Sequence, residues 1–274
     1  MAEQQTPSVA QIFDVLASSY DQTGVEFFGP VGSRLVELLE PRPGEHCLDV
    51  GCGRGAVTLP LAAAVGGSGS VHGLDVSAGM LAEAQRLAQD AGLGWAQFEV
   101  ADAGDLGALP ATYDVVASSL VIFFLPDPAA ALRTWVERLV PGGRIGLVTF
   151  GQEDEASNVL NDLLTPFVPP QFRDPTTVGE DSPFESDAGM ERLLTDAGAR
   201  EVRTVTVPTL LEFADVAGWQ RFSLATGQRA MWMRMSGEEK AAALERAEEV
   251  LEATRDGAGP CRLTWNMRYT LGTR

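Results

Sequence analysis

The stretch Leu48–Ala62, LDVGCGRGAVTLPLA, carries one acid and then three glycines at alternating positions: Asp49, Gly51, Gly53 and Gly55. Glycine gives up side-chain packing, so glycines in this pattern let something come close to the backbone. Gly51-x-Gly53-x-x-Ala56 also fits the dinucleotide fingerprint G-x-G-x-x-A. Asp49 argues against a pyrophosphate, because a carboxylate beside a diphosphate in a partly desolvated cleft is repelled. It suits a ligand that brings an ammonium or sulfonium group. Two further acids, Asp75 and Asp102, end the next two apolar runs. An acid placed like Asp75 accepts hydrogen bonds from ribose hydroxyls. One placed like Asp102 can accept from an adenine amino group. Together the three acids suit adenosine joined to a zwitterion rather than to a diphosphate.

These residues need elements that bring them to one edge. Short apolar runs alternate with helical patterns: HCLDVG (46–51), SVHGLDV (70–76), WAQFEVAD (95–102), YDVVASSL (113–120) and GRIGLVTF (143–150) read as strands. Between them lie helical stretches, one with Ser77 as N-cap and Gly92 at its end. Such alternation makes crossover units and a parallel sheet covered on both faces. The rhythm breaks after Phe150. Residues 151–185 are rich in Pro, Asp and Glu, and a helical insertion covers roughly 209–258 between a strand at 201–207 and a last strand, CRLTWNMRYTLG. The expectation is an α/β, doubly wound, Rossmann-like sheet with lids. Residues 1–45 would add helices that close over a ligand, 46–150 the binding core, and 151–274 the remaining sheet with two lid insertions.

Composition narrows the partners. The chain has 274 residues, 45% of them hydrophobic, and a formal charge of −18 from 38 acids and 20 bases. That surface repels phosphate backbones and anionic lipid, so neither nucleic acid nor a membrane is expected as a partner. No run of 18 uncharged apolar residues suggests a membrane span, and MAEQQTPSVAQIF does not look like a signal peptide. Cys47, Cys52 and Cys261 lack metal or redox spacing, so a cytoplasmic protein with reduced thiols is expected, as a monomer or homodimer.

LDVGCGRG, followed in order by GLDVSAGMLAEAQ, VADAGDL, YDVV and LVPGGRI, resembles the class I S-adenosylmethionine-dependent methyltransferases, most of all the small-molecule enzymes of the ubiquinone/menaquinone-biosynthesis type. The match spans about residues 10–150. It implies S-adenosylmethionine as cofactor and a seven-stranded, mostly parallel sheet with a final antiparallel strand. Asp49, Gly51 and Gly53 would line the methionine end of the cofactor. Asp75 would hold the ribose, Val76 and Met80 would flank the adenine, and Asp102 with the backbone of Ala103 would read the adenine edge. Ser118 would lie beside the sulfonium, and Tyr20 with Asp21 matches the YD of an N-terminal helix that closes over the cofactor. Where many relatives carry histidine, this chain has Phe123, which implies an apolar wall there.

Methyl transfer from a sulfonium is an in-line displacement with a neutral leaving group, so the protein supplies alignment and, where the nucleophile must lose a proton, a base. His46 and His72 fall at the amino-terminal side of their strands, away from a crevice at the carboxyl ends. GQEDE (151–155) follows the fifth strand at the correct edge, and Glu153 is the candidate catalytic base. No metal is expected. The insertion holds Trp219, Phe222, Met231, Trp232, Met233 and Met235, which either pack the core or form an apolar lid. Arg221, Arg229 and Arg234 among them either pair at the surface or meet an anionic substrate group. The reading is methylation of a small, apolar or aromatic metabolite, with oxygen preferred as acceptor and carbon or nitrogen open. Two alternatives remain: a cofactor-binding protein that catalyses a non-methylating step such as cyclisation, and a nicotinamide-dependent oxidoreductase.

Overall fold

The computed structural model describes residues 8–106, 109, 112–169 and 182–274. Part of the first expected lid, residues 170–181, lies outside the described residues. Two helices, α1 (Val9–Leu16) and α2 (Phe28–Leu39), precede the sheet. Then follow β1 (His46–Val50), α3 (Thr58–Val65), β2 (Ser70–Asp75), α4 (Ala78–Asp90), β3 (Ala96–Val100), β4 (Tyr113–Ser119), α5 (Pro128–Glu137) and β5 (Leu139–Glu153). The remainder is α6 (Glu155–Leu164), α7 (Asp187–Asp196), β6 (Arg200–Phe213), α8 (Val216–Leu224), α9 (Arg229–Trp232), α10 (Gly237–Ala253) and β7 (Cys261–Thr273).

Among the described residues, seven strands form one sheet in the order β3-β2-β1-β4-β5-β7-β6. The pairs among β1 to β5 are parallel, whereas β7 runs antiparallel to both β5 and β6. The chain walks outward from β1 through β3 and returns to β4 on the other side of β1. That reversal opens a crevice at the carboxyl ends of β1 and β4, the place where open α/β sheets take ligands. The doubly wound sheet read from the sequence is therefore present.

Strand alternation sends side chains into two cores. Cys47, Val71, Val115 and Ala117 pack with α2 and α3 on one face, and Leu48, Leu74, Val116 and Trp135 pack with α5 and α7 on the other. Local chemistry starts the helices where the sheet needs them. Ser77 caps α4 by accepting from the Met80 amide at 3.1 Å, and Asp127 with Pro128 starts α5, its Oδ1 accepting from the Ala130 amide at 2.8 Å. Ser236 and Glu239 form a reciprocal capping box on α10. All three thiols are buried and unpaired. No helix among the described residues is long and apolar enough to cross a membrane.

Two strands run longer than their sequence signal. β5 continues through Gly151 and Gln152 to Glu153, because Trp265 of β7 pairs with Glu153 across a bulge. β6 continues to Phe213, because its residues beyond Val207 pair with β7 down to Cys261. The pairing partner, distant in sequence, overrides local polarity and the Pro208 breaker.

Trp135 is fully buried, and its indole Nε1 donates to the Ala103 carbonyl at 2.8 Å, tying α5 to the loop after β3. Trp135→Ala is expected to destabilise the fold by about 3–5 kcal/mol through the cavity it leaves, measured by denaturant unfolding.

Candidate functional site

The crevice at the β1/β4 switch point continues into a cavity of about 380 Å³. Gly51, Gly53, Asp75, Val76, Met80, Asp102, Ala103 and Tyr20 all line it. So eight of the sequence-named residues meet at one place, drawn from three strand ends, the first turn of α4 and the N-terminal segment. Gly51 and Gly53 both have positive φ, 72° and 52°. A Cβ on Gly51 would lie 2.3 Å from Val121 Cγ2, whereas a Cβ on Gly53 would project into open space. Gly51 is thus required by packing and Gly53 leaves the volume a ligand backbone would fill.

Asp49 ends up beneath the glycine loop, beside a second opening that Gly51, Gly53 and Ser119 share. Its carboxyl is 1% exposed. Oδ2 accepts from the Thr58 hydroxyl at 2.6 Å, and Oδ1 is buried with no hydrogen-bond partner. Burial pushes its pKa up to about 7, against the Thr58 bond that lowers it; the nearby Asp75 adds to the rise. An orphaned buried carboxylate oxygen next to a glycine loop is what an ammonium would complete. Asp75 is held by two backbone donors, Gly53 N–H to Oδ2 at 2.8 Å and Ser77 N–H to Oδ1 at 2.9 Å. Each oxygen keeps a further lone pair for a ribose hydroxyl. Met80 is buried at the wall, and Asp102, exposed, accepts from the Gly104 amide at 2.8 Å. The residues present therefore fit the adenosine and amino-acid halves of S-adenosylmethionine.

One position differs. Ser118 does not line the cavity: its side chain is buried and its hydroxyl donates to the Val50 carbonyl at 2.8 Å. Strand alternation puts Ser118 on the Val116 face, and Ser119, one residue on, reaches the cavity instead. The register Asp49↔Ala117 carried that signal, since Ser119 shares the face of Ala117.

The N-terminal segment is tied to this site by contacts the sequence reading missed. Asp14 Oδ1 on α1 accepts from the Ser77 hydroxyl at 2.6 Å and the Gly79 amide at 3.0 Å, at the positive end of α4. Those two bonds hold its carboxyl below the usual carboxylate range. Arg54, inside the glycine loop, donates to the Tyr20 carbonyl and pairs with Glu83 at 3.4 Å. Burial raises the Tyr20 phenol.

A second, apolar cavity of about 810 Å³ adjoins the first, sharing Val9, Phe13, Tyr20, Leu120 and Phe124 as common wall. Leu120 stands there with φ 61°, a left-handed conformation that is strained for a leucine. Phe27, Phe28, Phe123, Phe150 and Trp265 supply aromatic lining, so the wall at Phe123 is apolar. Of the insertion's apolar cluster, Met231 lines this cavity; Trp219, Phe222, Trp232 and Met235 are buried elsewhere in the core, and Met233 is exposed. None of Arg221, Arg229 and Arg234 lines it.

Glu153 is the one acidic or basic side chain among the described residues lining the apolar cavity. The acidic run it belongs to divides three ways. Asp154 caps α6 through the Ser157 amide at 2.7 Å, Glu155 begins that helix, and Glu153 faces the cavity. Its Oε2 accepts from Asn161 Nδ2 at 2.6 Å. Burial pushes its pKa up to about 7, the Asn161 bond opposing and Asp154 assisting. A carboxyl poised near neutrality in an apolar chamber can take a proton from a weakly acidic hydroxyl. His46 and His72 line neither cavity; they sit by Ser70 and by Glu99 and Tyr113.

A family profile described as a methyltransferase domain matches residues 47–143. The chain is 43% identical over 164 residues to the aklanonic acid methyltransferase DauC of Streptomyces sp. (strain C5), covering 60% of this chain and 71% of that protein. It is 32% identical over 288 residues to the nocamycin O-methyltransferase of Saccharothrix syringae, covering 95% of this chain and 96% of that one. Among solved structures, the YcgJ protein from Bacillus subtilis matches with a TM-score of 0.59 at 16% identity, over 89% of this chain and 98% of that chain. That likeness concerns the fold.

The Asp49 carboxyl must be ionised to receive an ammonium, and its proton leaves near pH 7. S-adenosylhomocysteine is therefore expected to bind roughly tenfold more weakly at pH 6 than at pH 8, the factor that one unit below a pKa gives. Asp49→Asn should weaken binding at pH 8 by about tenfold or more and remove most of that pH dependence. Isothermal titration calorimetry at the two pH values measures both effects.

Proposed function

Because the chain belongs to the class I S-adenosylmethionine-dependent methyltransferases, we propose that it methylates a hydroxyl oxygen on a bulky, apolar small molecule, with Glu153 as the base. When bound, S-adenosylmethionine supplies an electrophilic methyl group whose sulfur leaves as a neutral thioether, so no acid is needed for departure. The chain's own residues do the rest. Asp49, Asp75 and the glycine loop hold the donor. The aromatic chamber binds the acceptor body and excludes water, which strengthens every charge interaction inside. Glu153 removes the hydroxyl proton.

The observation that carries this reading is that, among the described residues, Glu153 alone brings an acidic or basic side chain to the apolar chamber. An apolar chamber of about 810 Å³ holds one carboxyl and no Arg, Lys or His among its described lining residues. An anionic acceptor would find no cation there, and the carboxylate would repel it. A neutral hydroxyl of the phenol or enol kind donates to Glu153 and gives up its proton only as the methyl arrives, leaving a neutral ether. The relatives' names support a small-molecule acceptor, both carrying the names of small molecules, and one supports oxygen, being named an O-methyltransferase. A carboxyl in the acceptor chamber supports methylation over a non-methylating step, which would need no base there.

The volume and lining favour an aromatic or polycyclic acceptor over a flexible polar one. A small-molecule partner of this kind asks for no nucleic acid and no membrane, in keeping with the chain's net charge of −18 and with a cytoplasmic setting.

Glu153→Gln is expected to lower kcat by about 10²–10⁴-fold with unchanged affinity for S-adenosylhomocysteine. In the unmodified protein, kcat/KM for the acceptor, at saturating S-adenosylmethionine, should rise about tenfold per pH unit below pH 7 and flatten above it, as a base with a pKa of about 7 demands. Turnover of a panel of hydroxylated aromatic metabolites with labelled methyl donor, run across pH 5.5–8.5, reads both. Full activity of Glu153→Gln overturns the assignment of the base.

A further inference from the structure

A line of hydrogen bonds runs from the interior of the helical insertion to Glu153. Trp232 Nε1 donates to Ser223 Oγ at 2.7 Å, and Ser223 Oγ donates to Gln228 Oε1 at 2.6 Å. Gln228 Nε2 donates to Asn161 Oδ1 at 2.9 Å, and Asn161 Nδ2 donates to Glu153 Oε2 at 2.6 Å. The direction is fixed from the carboxylate end. An ionised carboxylate only accepts, so Asn161 presents N–H to Glu153 and its carbonyl to Gln228. Gln228 then gives its amide nitrogen to Asn161 and its carbonyl to Ser223, whose hydroxyl donates there while accepting from Trp232. Every link points the same way.

We propose that Trp232, Ser223, Gln228 and Asn161 act as a one-way donor relay that positions the catalytic carboxyl of Glu153, occupying Oε2 and leaving Oε1 to take the acceptor's proton. The inference rests on the reading of Glu153 as base. Trp232 and Ser223 are fully buried and line neither cavity, so they are positioning residues that act through Gln228. Gln228 and Asn161 line the acceptor cavity with Glu153. Oε1 of Glu153 has no hydrogen bond among the described residues. The balance is simple: the acceptor O–H bond breaks, its proton forms a bond to Oε1, and the oxygen keeps the electron pair. A reversed Asn161 would present its carbonyl to Oε2, which only a protonated Glu153 could satisfy; such an arrangement would hold the base in its inactive form.

The relay also joins two parts of the chain. Glu153 ends β5 and Asn161 lies on α6, whereas Ser223, Gln228 and Trp232 belong to the insertion between β6 and β7. The insertion thereby contributes the orientation of a carboxyl it does not carry. Other charges on the elements around Glu153 are Asp154, Glu155 and Asp162 at α6, Glu185 on the turn 183–185, Arg229 on α9 and Arg268 on β7. Asp154 is engaged as the α6 cap, and Arg268 is engaged by Asp187 and by the Phe150 and Phe184 carbonyls. None of these substitutions below alters a charge, so a shift in Glu153 reports the relay.

The test uses the full chain with S-adenosylhomocysteine bound, titrating the Glu153 carboxyl by carbon-13 NMR in the parent and in Trp232→Phe, Ser223→Ala and Gln228→Met. Loss of an oriented donor should raise the Glu153 pKa above its parent value, by about half a unit for the two buried variants and about one unit for Gln228→Met, one unit being a tenfold change in ionisation. The acid limb of the kcat/KM profile should move up by the same amount, with KM for S-adenosylmethionine unchanged. Unchanged titration in Ser223→Ala and Gln228→Met, with melting temperatures showing both folded, overturns the relay; these two decide the matter even where Trp232→Phe does not fold. A shifted titration combined with full activity of Glu153→Gln would instead leave the relay standing and overturn the reading beneath it.

Discussion

The carboxyl of Asp49 is buried at the end of β1 with one oxygen satisfied by Thr58 and the other by nothing. A carboxylate removed from water without a partner is costly, and the protein responds by holding its proton up to about pH 7. The sign follows: this acid's folded pKa lies above its unfolded value of about 3.9, so its contribution to stability is present at low pH and fades as pH rises through 7. At neutral pH and above, a cationic group beside Oδ1 recovers what burial took. The glycines on the loop above it, the two backbone donors on Asp75 and the Arg54 contact to Tyr20 are all arranged around that position. In the proposed reading, donor binding would complete a core that the chain leaves one bond short.

Two cavities meet across a thin wall of Phe13, Tyr20, Leu120 and Phe124. Two of the chain's left-handed non-glycine residues stand at this wall or directly beside it, Leu120 at φ 61° and Asp21, next to Tyr20, at φ 61°. Such conformations persist only where neighbours over-determine them. Here the Leu120 amide is held by the Val148 carbonyl at 3.0 Å, and the Tyr20 carbonyl by Arg54. Because α1 contributes Val9 and Phe13 to both cavities, one helix shapes the walls of the two chambers together.

Much of this was legible in the sequence. The strand ends that carry Asp49, Asp75 and Asp102 declared themselves because apolar runs, turn glycines and acids recur there in a fixed order, and each is a local signal. Glu153 was legible as an acid at the correct edge, although the sequence placed it in a loop and β7 draws it into a strand. Ser118 shows where local reading stops: a one-residue difference in facing depends on the register with β1, which no single strand encodes. The insertion shows the same limit. Its aromatic and methionine cluster reads equally as lid or core, and the structure buries most of it, while the acceptor chamber is walled by phenylalanines scattered from Phe13 to Phe150. Gln228 and Asn161 have no motif at all. The role proposed for them rests on hydrogen bonds that join Glu153 to the insertion, with Asn161 and Gln228 67 residues apart along the chain.

The place of β7 in the sheet has a consequence for how the molecule is made. It is the last strand in sequence, yet it lies between β5 and β6 and bonds to both. While the chain is being synthesised, β5 and β6 each present an open edge until the residues after Cys261 have left the ribosome. Unpaired edges of that length invite pairing with other chains, and long-range strand closure is slow.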